Sequence, residues 1–138
     1  MTARGHRAVE HTADVRIEAW GPTREDCLVE AVSGLVATFA VTADATPADT
    51  ITTHLDATDD DDLLAAVLDE VIYLLDTRSV VPCGAELTAG PGGVELRLQV
   101  APVREVEVVG AVPKAVTLND LRCEPRDEGW WCAATVDV

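Results

Sequence analysis

Serine is scarce in this chain of 138 residues. The chain has only two serines, Ser33 and Ser79, and neither lies in the Gly-x-Ser-x-Gly turn that exposes a hydrolase nucleophile. Four cysteines occur without a Cys-x-x-Cys pair or a nearby histidine at zinc-ligand spacing, which argues against a structural zinc site. We predict buried free thiols, with a Cys123–Cys132 disulfide as the alternative.

Long apolar runs are also missing. None approaches the roughly 18 residues that a membrane-spanning helix needs, and residues 1–6 contain no signal-peptide hydrophobic segment. We therefore expect a cytoplasmic protein without membrane contact. Hydrophobic residues make up 48% of the chain, too many for a disordered one. The length and composition predict a single domain, residues 1–138, around one core.

Basic residues are few. Ten Lys and Arg side chains stand against 25 Asp and Glu, which gives a formal net charge of −15, and Lys114 is the only lysine. Because proteins grip phosphate backbones with Lys and Arg, we do not expect direct nucleic-acid binding. An acidic protein suits a basic partner instead, since opposite charge speeds their encounter. Solubility, or adaptation to a salt-rich cytoplasm, is the alternative explanation.

Two segments have the 3.6-residue apolar periodicity of helices that bury one face. The first follows Thr23, which we expect to cap the helix together with Asp26, and its apolar stripe runs from Leu28 to Phe39. The second follows the acidic run 59–62 and extends to about Asp76. We interpret that run as first-turn acids that favour a helix N-terminus, rather than as a metal site.

The remaining segments are β-like. Residues 15–20, 51–56, 80–87 and 94–100 show alternating or apolar strand patterns, and Gly90–Gly93 forms a hairpin turn. Lys114–Cys123 and Trp130–Val138 are expected to be the last pair of strands, around the turn at 127–129. The fold class is therefore α+β: a two-layer sandwich of a mostly antiparallel sheet with two helices packed on one face.

Carboxylates stand at both ends of the chain. Asp14 precedes the strand at 15–20, and Asp137 is the next-to-last residue of the final strand. A hard divalent cation needs several oxygens, often from segments distant in sequence. We therefore predict that the two strands meet in the sheet and that these acids form one oxygen-rich cation site. Paired acids also suit a hydrolase, but no substrate-binding residues accompany them.

Other side chains permit two interpretations each. His11 is a candidate base or metal ligand, although a histidine bonded to the backbone at a turn is commoner. Lys114, just before a strand expected beside the C-terminal one, suits a partner's carboxylate or phosphate, or is simply exposed. Asp76 is a candidate acid or a solvated helix end. The rings of Trp130 and Trp131 should lie on opposite faces of a strand, so that one enters the core and the other can anchor a partner.

Five stretches of the chain form a pattern when they are taken in order: His11-Thr12-Ala13-Asp14-Val15, Gly-x-Thr-x-Glu-Asp at 21–26, Leu74-Leu75-Asp76-Thr77, Lys114-Ala115-Val116-Thr117, and Gly129-Trp130-Trp131 with Val136-Asp137-Val138. Through these stretches the chain resembles the archease family over nearly its whole length. The chain departs from the family pattern at Arg16, where the family usually has glycine, and at 103–112, where it lacks an acidic, histidine-containing segment.

The resemblance implies a non-enzymatic activator of the RtcB-type tRNA-splicing RNA ligase, which accelerates guanylylation of the ligase and supports multiple turnover. It implies that Asp14 and Asp137 are carboxylate ligands of a divalent cation, with the main-chain carbonyl or terminus of Val138 as a third ligand. Calcium is the preferred ion, with magnesium or manganese as alternatives. Lys114 resembles the family's functional lysine, used at the ligase active site.

Two rival functions remain open at this point. One is a general chaperone or modulator of RNA- or DNA-modifying enzymes, acting through the acidic surface and an exposed Trp. The other is a small metal-dependent hydrolase that uses Asp14 in catalysis.

Overall fold

The computed structural model describes residues 3–10 and 14–138, and it confirms the α+β class, with two helices packed against antiparallel sheets. The strands run as follows: β1 Gly5–Glu10, β2 Asp14–Gly21, β3 Ala40–Val41, β4 Asp49–Asp56, β5 Val80–Gly90, β6 Gly93–Pro102, β7 Glu107–Val108, β8 Ala115–Val116, β9 Arg122–Arg126 and β10 Gly129–Asp137. The helices are α1 (Arg24–Ala37) and α2 (Asp60–Arg78), with a 3-10 turn at Val103–Glu105.

Helix α1 begins as its sequence predicts. Thr23 is the N-cap residue, and its side-chain oxygen accepts a hydrogen bond from the backbone N–H of Asp26 at 3.0 Å. Such a bond satisfies one of the free N–H groups at a helix start. The apolar stripe of α1, which includes Leu28, Val32 and Leu35, is buried.

The acidic run 59–62 forms the N-cap and first turn of α2, as predicted. The Asp59 side chain caps the helix by accepting from the N–H of Asp62 at 2.8 Å, and Asp60 accepts from Arg24 Nη1 at 2.9 Å. Asp61 accepts from the backbone N–H of Cys123 at 2.6 Å, so it ties the helix start to strand β9. Each of these carboxylates therefore has a structural partner, and the negative charge lies at the positive end of the helix dipole.

The strands form three hydrogen-bonded sheets rather than one. The largest has the order β1-β2-β10-β8, with β9 also paired to β10; a second has the order β4-β6-β5; and β3 pairs with β7. Every pairing is antiparallel. The first and last long strands, β2 and β10, are direct neighbours in the five-stranded sheet.

The prediction of one strand over Lys114–Cys123 is wrong. The segment forms only the two-residue strand β8, then a turn, and β9 begins at Arg122. The turn contains Asp120, whose φ of 59° is left-handed and interrupts an extended chain. The predicted neighbour relation between this segment and the C-terminal strand is correct, because β8 pairs with β10.

The core lies where both helices meet both large sheets. Helix α1 contacts β1, β2 and β10 of the five-stranded sheet and β5 of the three-stranded one, while α2 contacts β8, β9 and β10 on one side and β4 and β5 on the other. In β2, Val15, Ile17 and Ala19 are buried and point into this core, so the alternate residues of β2 face outward. Within the described ranges, neither helix combines the length and apolar character that membrane crossing requires.

All four cysteines are free, as predicted, but only three are buried. Cys27, Cys123 and Cys132 lie in the core, and the last two are direct partners across β9 and β10. Contact with the Cys27 thiol and burial raise the pKa of Cys123. Cys83 is half-buried at an irregularity of β5, and burial raises the pKa of its thiol as well.

We predict that Asp61→Ala lowers the free energy of unfolding by about 1–3 kcal/mol, because it leaves the N–H of buried Cys123 without its partner. Urea denaturation followed by circular dichroism measures this change. The matched control is Asp44→Ala, which removes the same charge from an exposed loop position and should shift the midpoint little. Equal midpoints for the two variants would contradict the role of Asp61.

A second prediction concerns thiol reactivity. In the native protein, Ellman's reagent should modify one thiol, that of Cys83, while the other three react only after denaturation. Because the thiolate is the reactive form and the pKa of Cys83 is raised, the rate should still increase with pH above the ordinary cysteine value of about 8.5. Rapid reaction of two or more thiols in the native state would contradict this burial pattern.

Candidate functional site

The two aspartates predicted to meet lie directly opposite each other. Strands β2 and β10 pair over eight residues, from Trp130 opposite Gly21 to Asp137 opposite Asp14. Their neighbours Val15 and Val136 are buried and face the core, so both aspartates lie on the outward face of the sheet. The end of the sheet therefore carries two carboxylates from opposite ends of the chain.

This carboxylate pair brings two like charges close together. Directly opposite residues in antiparallel strands have Cβ atoms about 4.5–5.5 Å apart, at which like charges destabilise the pairing. In the part of the chain that the structure describes, no ion pair involves Asp14 or Asp137. The pair therefore differs from the acids at the start of α2, which have partners within the fold.

The aspartates border an open, polar cavity of about 490 Å³. Residues of β2, β10 and the turn after β8 line it: Asp14, Arg16, Thr117, Asn119, Asp120, Thr135 and Asp137. The turn is held beside β10 by the backbone N–H of Thr117, which donates to the carbonyl of Thr135 at 2.9 Å. The cavity thus combines carboxylate, hydroxyl and amide groups with one guanidinium.

Oxygen atoms are the ligands that this cavity offers to a cation. Among residues 3–10 and 14–138, no three His, Cys, Asp or Glu side chains are grouped so that they could hold a metal ion. Two opposed carboxylates with nearby hydroxyl and amide oxygens nevertheless match the chemistry of Mg²⁺ or Ca²⁺, which accept oxygen ligands and waters. Val138, the predicted third ligand, follows Asp137 and packs its half-buried side chain against the core.

Lys114 lies next to this site through its main chain. Its backbone N–H donates to the carbonyl of Asp137 at 2.8 Å, and the next residue, Ala115, is the strand partner of Asp137. Its side chain is exposed, forms no ion pair with the described residues, and is not among those that line the cavity. The ammonium group is therefore available to a partner at the border of the site.

The other predicted candidates lie elsewhere. His11 falls outside the described residues. Asp76 is an exposed residue near the end of α2, on a separate apolar cavity of about 250 Å³. The rings of Trp130 and Trp131 lie on opposite faces, as predicted: Trp130 packs against the core. Trp131 is half-buried, with the guanidinium carbon of Arg126 3.6 Å from its ring centroid, so it is less exposed than expected.

Sequence reasoning missed several residues that line the cavity. Arg16 was recognised only as a departure from a family pattern, although it lies two residues from Asp14 and therefore on the same strand face. The same alternation places Thr135 beside Asp137. Asn119 and Asp120 carry no such signal, because the wrongly predicted continuous strand concealed the turn that brings them to the site.

Comparison with known proteins by sequence finds archease proteins. Residues 6–138 match the Archease protein family (MTH1598/TM1083). The chain is 49% identical over 137 residues to the "Probable protein archease" of Mycobacterium tuberculosis, covering 99% of this chain and 76% of that protein. It is 27% identical over 135 residues to the "Protein archease" of Archaeoglobus fulgidus, covering 96% and 98%.

Solved structures share the fold. The solution structure of Methanobacterium thermoautotrophicum protein 1598 superposes with a TM-score of 0.77 at 19% identity, covering 97% of this chain and 99% of that one. The crystal structure of a Thermotoga maritima archease, described as a possible chaperone, gives a TM-score of 0.68 at 17% identity and covers 94% of each chain.

A stability prediction follows from the two aspartates, which form no ion pair with the residues that the structure describes. Without divalent cations, Asp14→Asn should leave the free energy of unfolding unchanged within about 0.5 kcal/mol or raise it slightly, because like-charge repulsion is relieved. Glu18→Gln on the same strand face is the control, and it should lower stability by up to about 1 kcal/mol through lost contacts with Arg7 and Arg16. Thermal denaturation in the presence of a chelator measures the stability of both variants. A larger loss of stability for Asp14→Asn than for Glu18→Gln would contradict the geometry.

Proposed function

The chain belongs to the archease family, and on that premise we propose that it is a protein activator of an RtcB-type tRNA-splicing RNA ligase. In this role it accelerates guanylylation of the ligase and supports multiple turnover, and it is not itself an enzyme. The observation that carries the proposal is the outward-facing pair Asp14 and Asp137 at the end of the sheet, which forms no ion pair with the other described residues. Such a pair can hold a cation at a surface that a second protein can reach.

In this proposal Asp14, Asp137 and the main-chain carbonyl or terminus of Val138 hold one divalent cation. Calcium is the preferred ion, and magnesium or manganese is the alternative. A cation held there would supply positive charge for phosphoryl transfer at a neighbouring site. The two carboxylates that bind the cation lie on adjacent strands. Because the protein ligands are few, the cation can exchange, which its delivery to a partner requires.

Lys114 is proposed to act at the same contact. Its backbone is fixed beside Asp137, while its exposed ammonium group has no ion-pair partner among the described residues. An ammonium group so placed can bind a carboxylate or phosphate of the ligase active site. We assign His11 to the partner contact as well, on the basis of its place three residues before Asp14.

The charge of the chain supports a protein partner. With a formal net charge of −15, the surface repels phosphate backbones and attracts basic protein surfaces, which speeds association with them. RNA recognition is therefore assigned to the ligase. A wider role as a chaperone or modulator of RNA- or DNA-modifying enzymes is the second candidate, and the acidic surface favours it because it attracts basic protein surfaces.

We predict that Asp14→Asn, Asp137→Asn and Lys114→Ala each reduce ligase guanylylation more than about tenfold, because a lost metal ligand or partner cation removes an interaction at the reacting phosphate. The measurement follows transfer of labelled GMP to a purified RtcB-type ligase. Asp44→Asn is the matched control and should stimulate normally.

Normal stimulation by all three variants, with native circular dichroism, would contradict the proposed site. Absence of stimulation by the wild type, together with rescue of unrelated RNA- or DNA-modifying enzymes, would favour the chaperone role. Phosphoester turnover by the isolated protein that Asp14→Asn abolishes would instead identify it as a hydrolase.

A further inference from the structure

Arg16 places a permanent positive charge in the carboxylate cavity. It lies on the outward face of β2, opposite Thr135 and two residues from Asp14, and its side chain lines the same 490 Å³ cavity as both aspartates. One third of the side chain is exposed. The guanidinium group stays charged at every physiological pH, so the cavity carries cation and anion recognition groups together.

The charge of Arg16 is only partly neutralised. Its Nε atom is 3.8 Å from a carboxylate oxygen of Glu18, a distance too long for a hydrogen bond. Glu18 makes its close contact with Arg7 instead. The Glu18 carboxylate therefore contacts two guanidinium groups. The weaker of these contacts is the one with Arg16, which borders the cavity.

The residues that line the cavity suit a cation and an anion bound side by side. Three carboxylates, those of Asp14, Asp120 and Asp137, and one guanidinium give it a formal charge of −2, which one divalent cation neutralises. Hydroxyl groups of Thr117 and Thr135 and the amide of Asn119 add hydrogen-bond donors. A hard cation held by two opposed carboxylates and one main-chain oxygen has further coordination positions, which water or phosphate oxygens can fill.

We propose that Arg16 makes this cavity a receptor for a phosphate group bound to a divalent cation. Asp14 and Asp137 hold the ion, and Arg16 donates hydrogen bonds to the phosphate oxygens, the pairing for which its planar fork is suited. Because the cavity is negative without the ion, phosphate binding requires the ion. The inference rests on the proposed cation site and adds the class of ligand, a phosphate monoester such as a nucleotide or an RNA end.

The test uses the whole 138-residue chain and manganese as the paramagnetic ion. Electron paramagnetic resonance gives the Mn²⁺ affinity, and the ³¹P relaxation rate of inorganic phosphate reports phosphate near the bound ion. Arg16→Gln is compared with Arg122→Gln, which removes an arginine from an exposed position of β9 outside the cavity. Guanosine 5′-monophosphate and a dinucleotide with a 3′-phosphate, as further probes, distinguish the two sources of phosphate.

The proposal predicts opposite effects for the two ligands. Arg16→Gln should weaken phosphate binding about tenfold, since it removes a charged hydrogen-bond donor. It should also tighten Mn²⁺ binding by about two- to fivefold, since a positive charge near the carboxylates is lost. The Arg122→Gln protein should match the wild type in both. A merely structural role for Arg16 would weaken both ligands together.

Equal phosphate affinities for the wild type and Arg16→Gln would overturn the proposal, as would phosphate binding that does not depend on Mn²⁺. Because no ligase is present, these outcomes are separate from the activation assay. Failure to stimulate the ligase, with Arg16-dependent phosphate binding intact, would count against the activator role alone. Stimulation together with phosphate binding that does not depend on Arg16 would count against this inference alone.

Discussion

The register between β2 and β10 is the constraint on which the rest of the structure depends. Side chains of a strand alternate between its two faces, so one pairing sets the core and the site at once. With Asp137 opposite Asp14, Val15 and Val136 enter the core and both carboxylates face outward. A slip of one residue would bury charge and expose apolar surface together, so burial of the core also enforces the proximity of the two acids.

The two acidic clusters of the chain show how local partners decide the fate of a carboxylate. At the start of α2, Asp59 caps the helix, Asp60 meets Arg24 and Asp61 bonds to the backbone of Cys123. These three carboxylates therefore stabilise the fold through their hydrogen bonds. Asp14 and Asp137 lack such partners among the described residues, although their strands would be more stable if the repulsion were relieved. In the proposed function, a shared divalent cation offsets this repulsion.

Much of the fold could be predicted from the sequence because it depends on the local periodicity of apolar residues. The cap at Thr23, the two apolar helical stripes and the alternation at 15–20 and 94–100 depend on neighbouring residues only. The strand over Lys114–Cys123 was wrong because its apolar residues conceal a turn with a left-handed residue at Asp120. The division of the strands into separate sheets depends on long-range pairing, which local pattern does not specify.

The candidate site was partly predictable for the same reason. Asp14 and Asp137 were found from their places at strand ends and from the family resemblance, while Arg16 required knowing which face of β2 borders the cavity. The central claim is that the two aspartates hold one divalent cation. Anomalous diffraction at the manganese edge, from crystals soaked in Mn²⁺, tests it most directly. The account predicts a single strong peak between the carboxylates of Asp14 and Asp137. A peak only at the acidic start of α2, or none on the protein, would contradict it.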